Sequence, residues 1–139
     1  MANLYSQFTY DDALNLKDAA DITASANGSI IVDLGDGCFD GFMVVDVNAL
    51  EVASTDEIYD VCLEGSNVAA MDSGSVCLAR IRMGNATDPA DADTAVGRFA
   101  VPCRNEQNGS LYRYVRLRTV VAGTIDTTGI NLNAFLAKR

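Results

Sequence analysis

Histidine and tryptophan are absent from this 139-residue chain, proline occurs only twice, and Lys17 is the single basic side chain among residues 1–79. Each absence excludes something. Without imidazole, Ser–His–Asp and Cys–His mechanisms lose their base. Zinc hydrolases lose their usual ligands, and a small metal-dependent β-barrel enzyme loses its metal site. No GxGxxG or Walker A sequence occurs, and Gly35-Asp36-Gly37 places an acid where a phosphate would be repelled. No apolar run is long enough for a spanning helix, so no membrane contact is expected. The opening residues Met-Ala-Asn-Leu-Tyr-Ser-Gln lack the basic and apolar regions of a secretory signal, so a cytoplasmic origin is expected.

What remains is an ordinary globular composition: 49% apolar and 21% charged residues, enough chain for one domain. At this length roughly two-thirds of the unfolded surface can be buried, so neither metal nor disulfide is needed to fold. Cys38, Cys62, Cys77 and Cys103 show no CxxC spacing. A zinc site would need all four thiolates, and the simpler reading is four buried, reduced thiols.

The net charge of −9 is unevenly spread. Residues 1–79 hold 14 acidic side chains against one basic, whereas residues 80–139 hold 5 acidic and 9 basic. Complementary surfaces between molecules would explain this, and so would pairing of the two halves inside one fold. The overall acidity argues against a nucleic-acid partner.

Period-two alternation dominates the pattern and predicts an all-β sandwich or barrel, and seven or eight short strands in this length suit a jelly-roll-like two-sheet sandwich. Strands are expected at 29–34, 42–47, 57–63, 75–83, 97–103, 111–121 and 130–136. In the fourth of these, Cys77, Ala79, Ile81 and Met83 read as inward, with Arg80 and Arg82 outward. Residues 11–24 predict a short helix capped by Asp11 or Asp12, carried by Ala13, Leu14, Leu16, Ala19 and Ala20. The single domain, 1–139, thus divides into an N-terminal arm or short helix over 1–28 and a β core over 29–139. Residues 84–96 read as the longest loop, with Asp88, Asp91 and Asp93 solvated.

Two clusters invite chemistry. Asp33, Asp36, Asp40 and Asp46 stand near Gly35, Gly37 and Gly41, a glycosidase pair or Ca²⁺ loop on one reading and turn residues on another. The EF-hand pattern is missing. In Leu111–Val121, alternation sets Leu111, Val115, Leu117 and Val121 on one face and Tyr112, Tyr114, Arg116 and Arg118 on the other. Tyr and Arg are enriched at protein interfaces. The same face would also suit solvent, with Arg paired to acids of a neighbouring strand, or a single nucleic-acid strand, against which the net charge argues.

Residues 16–35 carry a further signal. Leu16, Asp18, Ala19, Ile22 and Thr23, followed by Val32-Asp33-Leu34-Gly35, resemble a signature of tailed-phage capsid cement (decoration) proteins, "Leu-x-Asp-Ala-x-x-(Ile/Leu)-Thr" leading into "Ile-Asp-Leu-Gly". Asn27-Gly28-Ser29 replaces a more threonine-rich stretch of that pattern. The resemblance implies a jelly-roll homotrimer on the capsid exterior, bridging neighbouring major capsid proteins, with no catalytic residues, metal or cofactor. It carries over no contact residues. Other classes that fit are a different virion part, such as a head fibre base or tail component, and a small carbohydrate-binding or hydrolytic β-sandwich.

Overall fold

Strands form wherever β-branched and aromatic residues alternate with polar ones, and their lengths follow those runs. A computed structural model of the chain describes residues 8–84 and 95–138. The strands are β1 (Asn15–Ile22), β2 (Ala26–Asn27), β3 (Val32–Asp33), β4 (Asp40–Leu50), β5 (Ile58–Ser66), β6 (Val76–Gly84), β7 (Gly97–Arg104), β8 (Glu106–Gln107), β9 (Ser110–Leu111), β10 (Tyr114–Ala122) and β11 (Ile130–Lys138). They build one sheet in the order β1-β11-β4-β7 and a second in the order β2-β10-β5-β6, with β3 also paired to β10. Within the named strands every pairing is antiparallel. If β2 and β3 are taken as one interrupted strand, every main connection except β5–β6 crosses between the sheets. That is the winding of a jelly roll.

The core lies between the inner faces. Met43, Val45 and Val47 of β4 and Ile130, Leu132, Ala134 and Leu136 of β11 meet Tyr59, Val61 and Leu63 of β5 and Val115 and Leu117 of β10, all buried. Each fully buried large aliphatic side chain stabilises the fold by about 1.5–3 kcal/mol. The first sheet also has an apolar outer face, where Val44, Phe135 and Ala137 are buried beneath the N-terminal segment. Phe8 packs edge-on against Phe42 at 5.3 Å between ring centroids, and Tyr10 against Phe135 at 5.4 Å.

The expected N-terminal helix is reduced to one 3-10 turn, Asp12–Leu14, capped by the Asp11 carboxylate on the Ala13 N–H. Residues 15–22 are instead an edge strand, so the β core begins well before residue 29. The buried residues of this segment, Leu16 and Ile22, explain the outcome. Six residues apart, they would lie about 240° apart around a helix, but they can share one side of a strand. Tertiary pairing with β11 outweighs the helical preference of Ala19 and Ala20.

In β6 the alternation breaks. The register shifts between Leu63 and Glu64 of β5, which pair with Ala79 and Cys77, so Leu78 is an extra residue. A bulge of this kind reverses side-chain direction on one side of it. Leu78 turns onto the core, and Cys77, expected inward, is exposed. Gly65 accommodates Leu78: a Cβ at residue 65 would stand 2.6 Å from the Leu78 Cδ1. The thiols therefore divide, with Cys62 and Cys103 buried and Cys38 and Cys77 exposed.

The segment expected as one strand from 111 to 121 is also interrupted. Leu111, expected inward, is exposed in the β8–β9 hairpin. Asn108-Gly109 turns that hairpin with both φ angles positive, 53° and 82°, as a type I′ turn requires. The buried Asn105 side chain anchors its base: its amide donates to the carbonyls of Gly37 and Tyr112, and its oxygen accepts from the Phe39 N–H. The loop expected over 84–96, with Asp88, Asp91 and Asp93, lies largely outside the described residues.

Candidate functional site

The outer face of the second sheet is built by β10, β5 and β6. Val115, Leu117 and Thr119 point inward and are buried, which turns Tyr114, Arg116 and Arg118 outward. Cross-strand register then sets Arg116 beside Glu64, Arg118 beside Cys62, and Val120 beside Asp60. On the other side of β5, Arg82 faces Asp60 and Arg80 faces Cys62.

These neighbours are paired in detail. Arg116 Nε donates to Glu64 Oε2 at 3.0 Å, and both side chains are 15% exposed. Arg118 reaches the same carboxylate at 4.0 Å and donates to the Asn27 side-chain oxygen at 2.8 Å. Arg82 grips Asp60 with two hydrogen bonds of 2.8 and 3.1 Å. Tyr114 carries the Arg113 guanidinium 5.3 Å from its ring centroid.

Of the four expected contact residues, Tyr114, Arg116 and Arg118 stand in one row. Tyr112 does not join them. It precedes β10, and its Cβ stands 3.0 Å from where a Cβ on Gly65 would be. Gly65 is the partner of inward-facing Val115, so Tyr112 covers the core side of the sheet end.

Part of the uneven charge along the sequence is answered within the molecule. Asp33 pairs with Arg113, Asp46 with Arg98, Asp60 with Arg82 and Glu64 with Arg116. Each pair joins an acid from residues 1–79 to an arginine from residues 80–139. The first three pairs are bidentate, a role that suits the planar guanidinium.

The aspartates read as a glycosidase pair or Ca²⁺ loop, or else as turn residues, are found in the turn over residues 35–37 and in ion pairs. Asp33 accepts from Arg113 and from the Gly35 N–H, which hold its carboxyl below the usual range. Asp46 is held low chiefly by its hydrogen bonds from Arg98. Asp36 lies in the exposed turn, 3.6 Å from Arg113, and Asp40 opens β4 opposite Arg104. Among the described residues, no group of three or more acids and cysteines is arranged to hold a metal ion. A shallow cleft of about 310 Å³ lies between the 3-10 turn and the loop after β3, lined by Asp11, Asp33, Cys38, Phe39 and Lys138 among others. Both of its carboxylates already accept backbone hydrogen bonds.

A site that sequence reading did not single out lies at one end of the sandwich. The Glu51 carboxylate accepts the backbone N–H groups of Asp126, Thr127, Thr128 and Gly129, plus the Thr127 hydroxyl, at 2.5–3.3 Å. The loop after β10 thus wraps an anion supplied by the chain itself. These donors, the Asp126 N–H foremost, lower the Glu51 pKa to about 2. Nearby, the Tyr59 hydroxyl donates to the Glu51 carbonyl, and burial raises its pKa to about 12. Thr127-Thr128-Gly129 offers no sequence pattern tied to a glutamate more than 70 residues earlier.

Among the described residues, no helix is long and apolar enough to cross a membrane. In comparisons with known proteins, no family model matches the chain and no curated protein matches it.

Proposed function

We propose that this protein is a structural virion component that binds the outside of a phage capsid as a homotrimer and cements the lattice of the major capsid protein. One observation carries the reading. The residues that resemble the cement-family signature form the β1 and β3 margin of a jelly roll, with Leu16, Ile22 and Val32 in its core. Signature and fold therefore agree on the architecture that the resemblance implied. A protein that binds only the closed lattice stabilises it by mass action, and three linked copies let each contact be weak.

The outer row of Tyr114, Arg116 and Arg118 is the contact face in this reading. Aromatic and guanidinium groups on a rigid central strand lose little entropy on docking. Light scattering of the isolated protein is expected to give a mass near three times 14.8 kDa. A monomer at high concentration would remove the avidity argument.

Replacing Tyr114 and Arg116 together with Ala is expected to weaken trimer or capsid binding by about 2–4 kcal/mol. The fold should persist, because Val115 and Leu117 are untouched and Arg118 stays 4.0 Å from Glu64. A capsid pull-down paired with circular dichroism reads both effects. Binding and trimerisation at the wild-type level would reduce this row to a solvated face.

A further inference from the structure

The bulge in β6 does more than reverse one side chain. It brings Cys77 onto the outer face of the second sheet, where Cys62 already stands on the adjoining strand. Cys77 pairs across with Glu64, two residues from Cys62, so the two cysteines are diagonal neighbours. The Cys77 thiol donates to the Ala79 carbonyl oxygen at 3.5 Å, so it must turn from that acceptor to meet Cys62. Cys77 is exposed, and Cys62 is 8% exposed. Arg118 and Arg80 flank Cys62 on either side along the register. Among the described residues no strand pairs with the far side of β6, so this edge strand can shift as bond formation requires.

We propose that Cys62 and Cys77 form a dithiol that reacts with small-molecule disulfides and closes into a staple tying the edge strand β6 to β5. Accessibility orders the steps. The Cys77 thiolate attacks one sulfur of the small disulfide. That S–S bond breaks, a mixed disulfide forms on Cys77, and one small thiolate leaves. The Cys62 thiolate then attacks the Cys77 sulfur, breaks the mixed bond and expels the second small thiolate. The two protein thiols give up two protons and two electrons, and the small disulfide is reduced to two thiols. Burial first, then the neighbouring thiol, raises the Cys62 pKa, so Cys77 is the attacking thiol, while Arg80 favours the Cys62 thiolate. The exposed Arg80 guanidinium also attracts a disulfide that carries carboxylates. The inference is independent of the cement role and applies to the free chain.

Oxidised glutathione is the probe. Before treatment, the denatured and unreduced chain is expected to show four free thiols. After treatment of the native protein, peptide mapping should find Cys62 linked to Cys77. Two glutathione thiols should be released for each link, and dithiothreitol should reopen it. Cys62→Ser should instead retain glutathione on Cys77, and Cys77→Ser should leave Cys62 unmodified. The wild-type experiment decides the matter even if a substituted chain fails to fold. A lasting glutathione adduct on wild-type Cys77, an unreacted Cys77, or linkage of either cysteine to Cys38 or Cys103 would each overturn the proposal.

Discussion

Val115→Asp is expected to unfold the protein. Val115 is fully buried on the inner face of β10 near its start, between Val32 of β3 and Gly65 of β5. An aspartate there would find no cation, because Arg116 and Arg118 point through the other side of the sheet. Burying an unpaired carboxylate among aliphatic side chains costs about 4–5 kcal/mol or more. That is comparable to the whole stability of a domain this size, roughly 5–15 kcal/mol. Circular dichroism should show loss of strand signal and of a cooperative melt. Val120→Lys is the matched control. Val120 lies on the outer face, 36% exposed and opposite Asp60, so a lysine there should leave the melt nearly unchanged. A wild-type melt for Val115→Asp would mean that the facing of β10 is inverted by one residue.

Acid should loosen the fold through Glu51. Its folded pKa of about 2 lies below the ordinary 4.5, so between these values the unfolded chain binds more protons than the folded one. Stability from this group is therefore complete above about pH 4.5. It is lost as the pH falls towards 2. Asp33 and Asp46, also held low by their arginine partners, act in the same direction. In Glu51→Gln a single carbonyl oxygen must replace a carboxylate that accepts four backbone N–H groups and a hydroxyl, while the new amide hydrogens oppose those donors. The variant should melt several degrees lower at pH 7, and its melting temperature should fall less steeply between pH 4.5 and 2. The slope that remains belongs to the other depressed acids. An acid limb identical to wild type would show that the 126–129 loop does not depend on the carboxylate.

Much of the sandwich was legible in the residues because alternation is a local property. Tyr59, Val61 and Leu63 face in, and Asp60, Cys62 and Glu64 face out, as a simple period of two requires. The pattern failed where a long-range partner altered the local rule. Residues 15–22 read as helical because propensity is summed along the chain, but their partner β11 lies over 100 residues away. Cys77 was assigned to the wrong face because one extra residue in β6 is invisible without its opposing strand. The β8–β9 hairpin had a readable cue in Asn108-Gly109, which the apolar alternation on either side obscured.

The candidate face divides in the same way. Alternation placed Tyr114, Arg116 and Arg118 together, but only register could show that Glu64 lies beside both arginines and that Tyr112 lies apart. The sequence by itself determined the all-β class, the inward residues of the long strands, and the lack of imidazole chemistry, since composition and period-two spacing need no partner. Tertiary structure alone decided the strand order, the anion nest around Glu51 and the meeting of Cys62 with Cys77. Each of these depends on which distant strands or loops lie side by side, and backbone pairing between antiparallel strands is nearly indifferent to sequence.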